Sequence, residues 1–328
     1  MKRFILNFVL FTVVPLLVLV LVYLITDPFK TIKPFDLKNV STVNRDYLST
    51  ELFLKNNKIY HYDSFIFGSS RGCGLNTYLW KSYLPKGSQQ FLFQAWCETI
   101  TGIYQKIDYL DKHNQRIRNV IILIDVPGTF LTNQEPHEVM TIKHPLFSGM
   151  SWLKYQSYLF RAFLQPSEVI KSISDYTLGK RIPVNFDTIS NDWESTNIDS
   201  WQKQPMQNSS LDKSKFGIKP KDETFSTPQI NESFEKILEN IYLMLKKHHA
   251  SYKIVVSPAY DQVHINVADL HIISSIFGAE NVYNFSGKNK LTTDKYNFMD
   301  LNHFDLNVGW EIINTCYDKS KSVDLKCK

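Results

Sequence analysis

The chain opens on Phe4 to Ile25, 22 residues without a charge. As a helix rising 1.5 Å per residue this run is about 33 Å long, enough to cross a hydrocarbon core of about 30 Å. Beyond it the pattern changes to short apolar blocks separated by helical periodicities. Ser64 to Gly68 is a β-rich block ending in glycine, followed by a helical stretch from about Leu75 to Tyr83. Gln90 to Gln94 gives a second strand, Thr99 to Lys112 an amphipathic helix, and Asn119 to Asp125 a third, fully apolar strand. Continuous apolar strands alternating with helices predict a parallel sheet covered on both faces.

The alternation is interrupted from Pro127 to Ser226 by aromatic-rich helical patches near Trp152 to Ile173 and a polar stretch from Asn185 to Thr224. An interruption of that length at strand ends reads as a lid-like insertion that shapes a binding site, with a disordered loop as the alternative for its polar half. Thr227 as N-cap and Pro228 at the first helical position open a helix whose apolar residues Ile230, Phe234, Ile237, Leu238, Ile241 and Leu245 repeat at three to four. A strand at Lys253 to Ser257, a helix at Ala268 to Phe277, a short strand at Asn281 to Asn284 and a closing helix at Val308 to Tyr317 complete the pattern. The expected fold is α/β, a three-layer α/β/α domain around a central, mainly parallel sheet, preceded by one transmembrane helix. Residues 26–58, rich in Lys and Asn with Pro28 and Pro34, read as a polar stalk between the two.

Composition sharpens this picture. Apolar residues make up 43% of the chain and charged residues 21%, which places it among folded proteins rather than disordered ones. The net charge of +5 is spread out, without the basic clusters that bind nucleic acid. Lys2 and Arg3 precede the apolar run, so the positive-inside rule predicts a cytoplasmic amino terminus and a domain on the far side. A cleaved signal peptide would need a small-x-small site, whereas the run is followed by Thr26-Asp27-Pro28-Phe29. Outside the cytoplasm Cys73, Cys97, Cys316 and Cys327 can form disulfides, of which Cys73 with Cys97 and Cys316 with Cys327 close the shortest loops; four buried thiols are the alternative.

Candidate chemistry sits at the strand ends. In Gly68-Ser69-Ser70-Arg71 a serine follows a strand and a tight turn, which exposes its hydroxyl at the carboxyl edge of the sheet where α/β folds bind ligands. Ser70 is the candidate nucleophile and Ser69 its rival, with simple helix capping as the bland reading of both. In Asp300-Leu301-Asn302-His303 a carboxylate three residues before an imidazole, on one helical turn, can hold Nδ1–H and leave Nε2 to take a serine proton. Arg71 is a candidate clamp for an anionic group, or a structural ion-pair partner. Asp261, His264, Asp269 and His271 are of metal-ligand type, but a polar helix face accounts for them, and His248-His249 read as surface residues at a helix end. Neither a metal nor a cofactor is called for.

The Gly-x-Ser element on the first strand and the Asp-x-x-His before the last helix together resemble the SGNH, or GDSL-like, hydrolase superfamily, over roughly Tyr62 to Tyr317. The resemblance implies a flavodoxin-like sheet of SGNH type and a triad of Ser70, His303 and Asp300. The anchor and the insertion look like the extracytoplasmic branch that includes polysaccharide O-acetylation and D-alanyl transfer proteins. That branch implies an esterase or O-acyltransferase acting on acyl esters of cell-envelope glycans, with the bilayer as a partner through residues 4–25. The family also places a glycine after strand two and an asparagine after strand three to complete an oxyanion hole with the serine's own N–H. Here those positions read Gln94-Ala95-Trp96-Cys97 and Asp125-Val126-Pro127-Gly128. Donors must then come from the backbone of Ala95 or Trp96, or from the Gln94 amide, and Asp125 is an acceptor. A catalytically silent, glycan-binding or scaffold member of an envelope assembly system is the alternative these departures raise.

Overall fold

The computed structural model describes residues 1–33, 44–131, 139–179, 187–192 and 222–318. The chain divides into two compact units, Met1–Leu48 with Glu135–Asn185, and Ser49–Gln134 with Phe186–Lys328. Pro34, Cys327 and most of the polar stretch 185–224 lie outside the described residues.

In the first unit the apolar run forms one helix, α1 (Lys2–Thr26), long and apolar enough to cross a membrane and almost wholly exposed. Asp27, in the left-handed region at φ 42, ends it, and the Asp27 carboxylate accepts the amides of Thr31, Ile32 and Lys33. Two helices of the long interruption, Trp152–Phe163 and Pro166–Thr177, belong to this unit, where Tyr23 and Phe29 pack with Tyr155, Leu159 and Phe163. The residues expected as stalk also contain a helix, α2 (Arg45–Tyr60). The unit boundary falls within it. Leu48, Leu52 and Phe53 are buried there, a stripe too narrow to stand out among the surrounding Lys and Asn.

The second unit holds the sheet. In chain order its elements are β1 (Ser64–Gly68), α3 (Thr77–Lys81), β2 (Gln90–Gln94), α4 (Ile100–Lys112) and β3 (Asn119–Ile124). In the first unit follow α5 (Trp152–Phe163) and α6 (Pro166–Thr177). The second unit resumes with α7 (Glu232–Lys247), β4 (Ser251–Val256), α8 (Val267–Phe277), β5 (Val282–Asn284) and α9 (Leu306–Tyr317). A two-residue ribbon pairs Thr224–Phe225 with Val263–His264. The five main strands lie in the order β2-β1-β3-β4-β5 and pair in parallel throughout. β1, β2 and β3 are buried at every residue, which is why they read as unbroken apolar runs rather than alternating ones.

Alternation along each strand sends side chains to opposite faces. Phe65 of β1 and Phe91 and Phe93 of β2 pack with Phe53 of α2. Ile66 and Leu92 join Trp80 of α3 and Val308, Ile312 and Ile313 of α9 in a second cluster. The helix expected from Thr227-Pro228 begins four residues later. Asn231 is its N-cap, and the amides of Gln229 and Ile230 are taken by the Asp269 carboxylate instead of opening a first turn. The β2 edge is covered by residues 187–192: the Leu92 amide donates to Ser190 O (2.9 Å), and Asn191 Nδ2 donates to Leu92 O. Asp192 accepts the amide and hydroxyl of Thr77 at the start of α3, and its complete burial pushes its carboxyl up to about 7.

Candidate active site

The strand order reverses around β1, with β2 on one side and β3 on the other, and in open α/β sheets such a switch point opens a crevice at the carboxyl ends of the strands. β1 delivers its carboxyl end there at Gly68. A Cβ at Gly68 would come 2.8 Å from Leu123 Cβ in β3, so this strand end needs a residue without a side chain. Ser69 follows in extended conformation (φ −78, ψ −167), and Ser70–Gly74 form a single 3-10 turn. A Cβ at Gly74 would enter the Phe304 ring, and one at Gly309 of α9 would overlap the Gly74 carbonyl oxygen. These two glycines let α9 meet the serine-bearing turn backbone to backbone.

The imidazole arrives from the segment just before α9. Phe298 and Phe304 form an antiparallel bridge, the Met299 amide donates to His303 O (2.8 Å) and the Asp305 amide to Asn297 O (2.8 Å). Asp300, Leu301 and Asn302 therefore sit at the tip of a tight hairpin-like loop. The sequence pointed to one turn of helix; the spacing of three is satisfied instead by an Asx-type turn, in which Asp300 Oδ1 accepts the amides of Asn302 (2.7 Å) and His303 (2.9 Å). Phe304, wholly buried, and Asp305, which caps α9 through the Asn307 amide, anchor the loop.

The two segments bring together the three residues singled out in the sequence. Ser70 Oγ lies 2.8 Å from His303 Nε2, and His303 Nδ1 lies 2.8 Å from Asp300 Oδ2. An ionised carboxylate only accepts, so Nδ1 carries the proton and, in the neutral ring, Nε2 accepts from the serine hydroxyl. Partial burial works to raise the Asp300 carboxyl, but the Asn302 amide, the His303 ring and the His303 amide together hold it below the usual carboxylate range. The Asp300 side chain is 48% exposed and that of His303 27%, so the pair is accessible from solvent.

The adjacent serine has another task. Ser69 Oγ accepts the Arg71 amide (3.1 Å) and donates to Asp125 Oδ2, away from the imidazole. Asp125, which follows β3, also receives Ser257 Oγ (2.7 Å) on Oδ1, with Arg71 Nη1 at 3.8 Å; Arg71 Nη1 in turn donates to Ser257 Oγ (3.0 Å). The carboxylate that replaces the expected asparagine is thus held by two hydroxyls and a guanidinium. Arg71 lines the cavity, yet its Nη1 is directed into this network. Ser257, at the end of β4, was not singled out in the sequence. Its signal was there, a hydroxyl directly after the buried run Ile254-Val255-Val256.

Around Ser70 lies a cavity of about 740 Å³, walled largely by Trp96, Val126, Pro127, Leu131 and Met299 beside Asp300 and His303. Two of the expected oxyanion donors are misplaced. The Ala95 amide donates to Gly68 O (3.2 Å), continuing the ladder between β1 and β2, and Gln94 is fully buried; neither lines the cavity. Trp96 does line it, and among the described residues neither its amide nor that of Ser70 has a hydrogen-bond acceptor. Cys73 and Cys97 also line the cavity and, like Cys316, are thiols rather than halves of disulfides. His264 stacks on Phe225 (centroids 4.8 Å apart) in the ribbon and does not reach the cavity. No group of three or more His, Cys, Asp or Glu able to hold a metal occurs among the described residues.

Compared with protein-family models and with curated proteins, the chain matches none. The chemistry of the site therefore rests on its geometry, a hydroxyl, an imidazole and a carboxylate in series at the edge of a parallel sheet.

Proposed function

We propose that this protein is a membrane-anchored serine esterase or O-acyltransferase of the SGNH, GDSL-like type, acting on acyl esters of cell-envelope glycans outside the cytoplasm. The observation that carries the reading is the series Ser70 Oγ, His303 Nε2, His303 Nδ1, Asp300 Oδ2, with both hydrogen bonds 2.8 Å, opening on the cavity. Ser70 attacks the ester carbonyl as its proton passes to His303 Nε2, and Asp300 holds the imidazolium that forms. The tetrahedral oxyanion is met by the backbone N–H groups of Ser70 and Trp96. Collapse expels the alcohol with the proton from Nε2 and leaves an acyl-Ser70, which water or a sugar hydroxyl then attacks by the same steps in reverse.

The strand order 2-1-3-4-5 supports a flavodoxin-like, three-layer arrangement. The apolar run of α1, with Lys2 and Arg3 before it, supports a cytoplasmic amino terminus and an extracytoplasmic catalytic unit. The Ser69–Asp125–Ser257–Arg71 network supports activity despite the departure from asparagine, because it neutralises the carboxylate beside the site. A fluorophosphonate probe tests the reading directly: the full chain in detergent should be labelled, and Ser70→Ala should not. A wild-type chain that never labels leaves the glycan-binding or scaffold alternative in its place.

A further inference from the structure

Helix α6 is built inside out. Its residues Ser172 and Asp175 are 1% and 6% exposed, whereas Ile170 and Ile173 are 69% and 42% exposed. At 3.6 residues per turn Ile170 and Ile173 lie about 60° apart on one side of the helix, and Ser172 and Asp175 on the other. Leu178, just past its end, is 69% exposed as well. A surface helix of a water-soluble unit turns its apolar stripe to the core and its polar face outward. Here Ser172 and Asp175 are inside and two isoleucines look away from the protein, although Val169 packs inward.

The place of α6 says what covers that face. It packs against the Val14–Thr26 half of α1. Lys33, whose ammonium donates to the Ile25 carbonyl (2.7 Å), stands 6.0 Å from the centre of the Tyr176 ring. The neighbouring α5 holds the same end of α1, with Gln156 Oε1 accepting from Tyr23 Oη (2.7 Å) and Phe160 and Phe163 against the Tyr23 ring. The apolar run of α1 ends at Ile25, so Tyr23 and Lys33 mark the level of the bilayer interface, where aromatic rings and snorkelling lysines concentrate. Helix α6 therefore lies beside the end of the span that reaches this level.

We propose that α6 is a second membrane contact, an interfacial helix whose Ile170, Ile173 and Leu178 enter the lipid beside α1. Such helices bury their apolar face about 5–10 Å into the boundary between headgroups and acyl chains. Two points of attachment, a span and an in-plane helix, restrict the tilt of the first unit on the membrane. The inference rests on the reading of α1 as a span, and the experiment separates the two. The full chain is reconstituted in nanodiscs of phosphatidylcholine and phosphatidylglycerol containing a phospholipid with a diazirine on its acyl chain, irradiated, and mapped by peptide mass spectrometry. Adducts are expected both in 4–25 and in 166–178, with 232–247 as the water-facing background. Ile170→Asp combined with Ile173→Asp should lose the adducts in 166–178 and keep those in 4–25. Adducts in 4–25 alone overturn the interfacial helix and leave the span; adducts in neither overturn both. Crosslinks from 166–178 to a second chain in place of lipid adducts overturn it in favour of self-association.

Discussion

Gly309 of α9 and Gly74 of the serine-bearing turn touch backbone to backbone, with no space for a Cβ at residue 309 before it meets the Gly74 carbonyl oxygen. The contact fixes how far His303, just upstream of α9, stands from Ser70, just upstream of Gly74. A methyl group there has to push the two segments apart. Overpacking costs about 1–3 kcal/mol, against the roughly 1 kcal/mol that alanine gains over glycine inside a helix. The expected signature of Gly309→Ala is thus a modest drop in Tm with a disproportionate loss of turnover, on the order of 100-fold for a misplacement near 1 Å. Unchanged p-nitrophenyl acetate hydrolysis would show that this contact does not set the geometry.

Adjacent hydroxyls should separate cleanly. Ser69→Ala removes a donor from the buried Asp125 and the cap of the 3-10 turn, a loss of about 1–3 kcal/mol in stability. Its fluorophosphonate labelling should persist, because the imidazole addresses Ser70 and not Ser69. Labelling that follows Ser69 instead would move the nucleophile by one residue.

His303→Ala should lower kcat for p-nitrophenyl acetate by about 10² to 10⁴-fold, the range of a positioned general base. Asp300→Asn should lower kcat with little change in KM, since Asp300 acts through the ring. The Asp300 carboxyl is depressed in the folded protein. Its contribution is therefore complete above the ordinary carboxylate range and fades as pH falls through the lower folded value. The stability contributed by Asp300 should accordingly hold down to about pH 4, which the difference in Tm between wild type and Asp300→Asn across pH measures.

The opposite sign holds for Asp192. Burial raises its carboxyl from 3.8 to about 7. Between those values the folded state binds more protons than the unfolded one, so this residue makes the protein less stable as pH rises from about 4 to 7, after which the effect is constant. Asp192→Asn keeps an acceptor for the Thr77 amide and a donor for its hydroxyl without the titration. The Tm of the variant should gain on wild type as pH is raised from 5 to 8; an equal difference at both values would contradict the assignment.

Much of this was legible from the chain. Every strand of the sheet appears within two residues of its expected position, because a strand buried on both faces must be apolar throughout and then stands out against its surroundings. The same holds for α1, where 22 uncharged residues make a helix long and apolar enough to cross a membrane. Ser70 and His303 could be named from the order Gly-x-Ser and Asp-x-x-His, and the structure sets their side chains 2.8 Å apart.

What sequence could not decide was set by contacts between residues far apart along the chain. Whether Ser69 or Ser70 meets the imidazole depends on Asp125 taking the first hydroxyl, 56 residues away. The Ala95 amide is spent on Gly68 O and not on the cavity, which is a matter of strand register. The helix within the expected stalk and the inverted face of α6 were hidden for a related reason. Periodicity reports that a helix has two faces, but only the tertiary structure decides which one turns to the core.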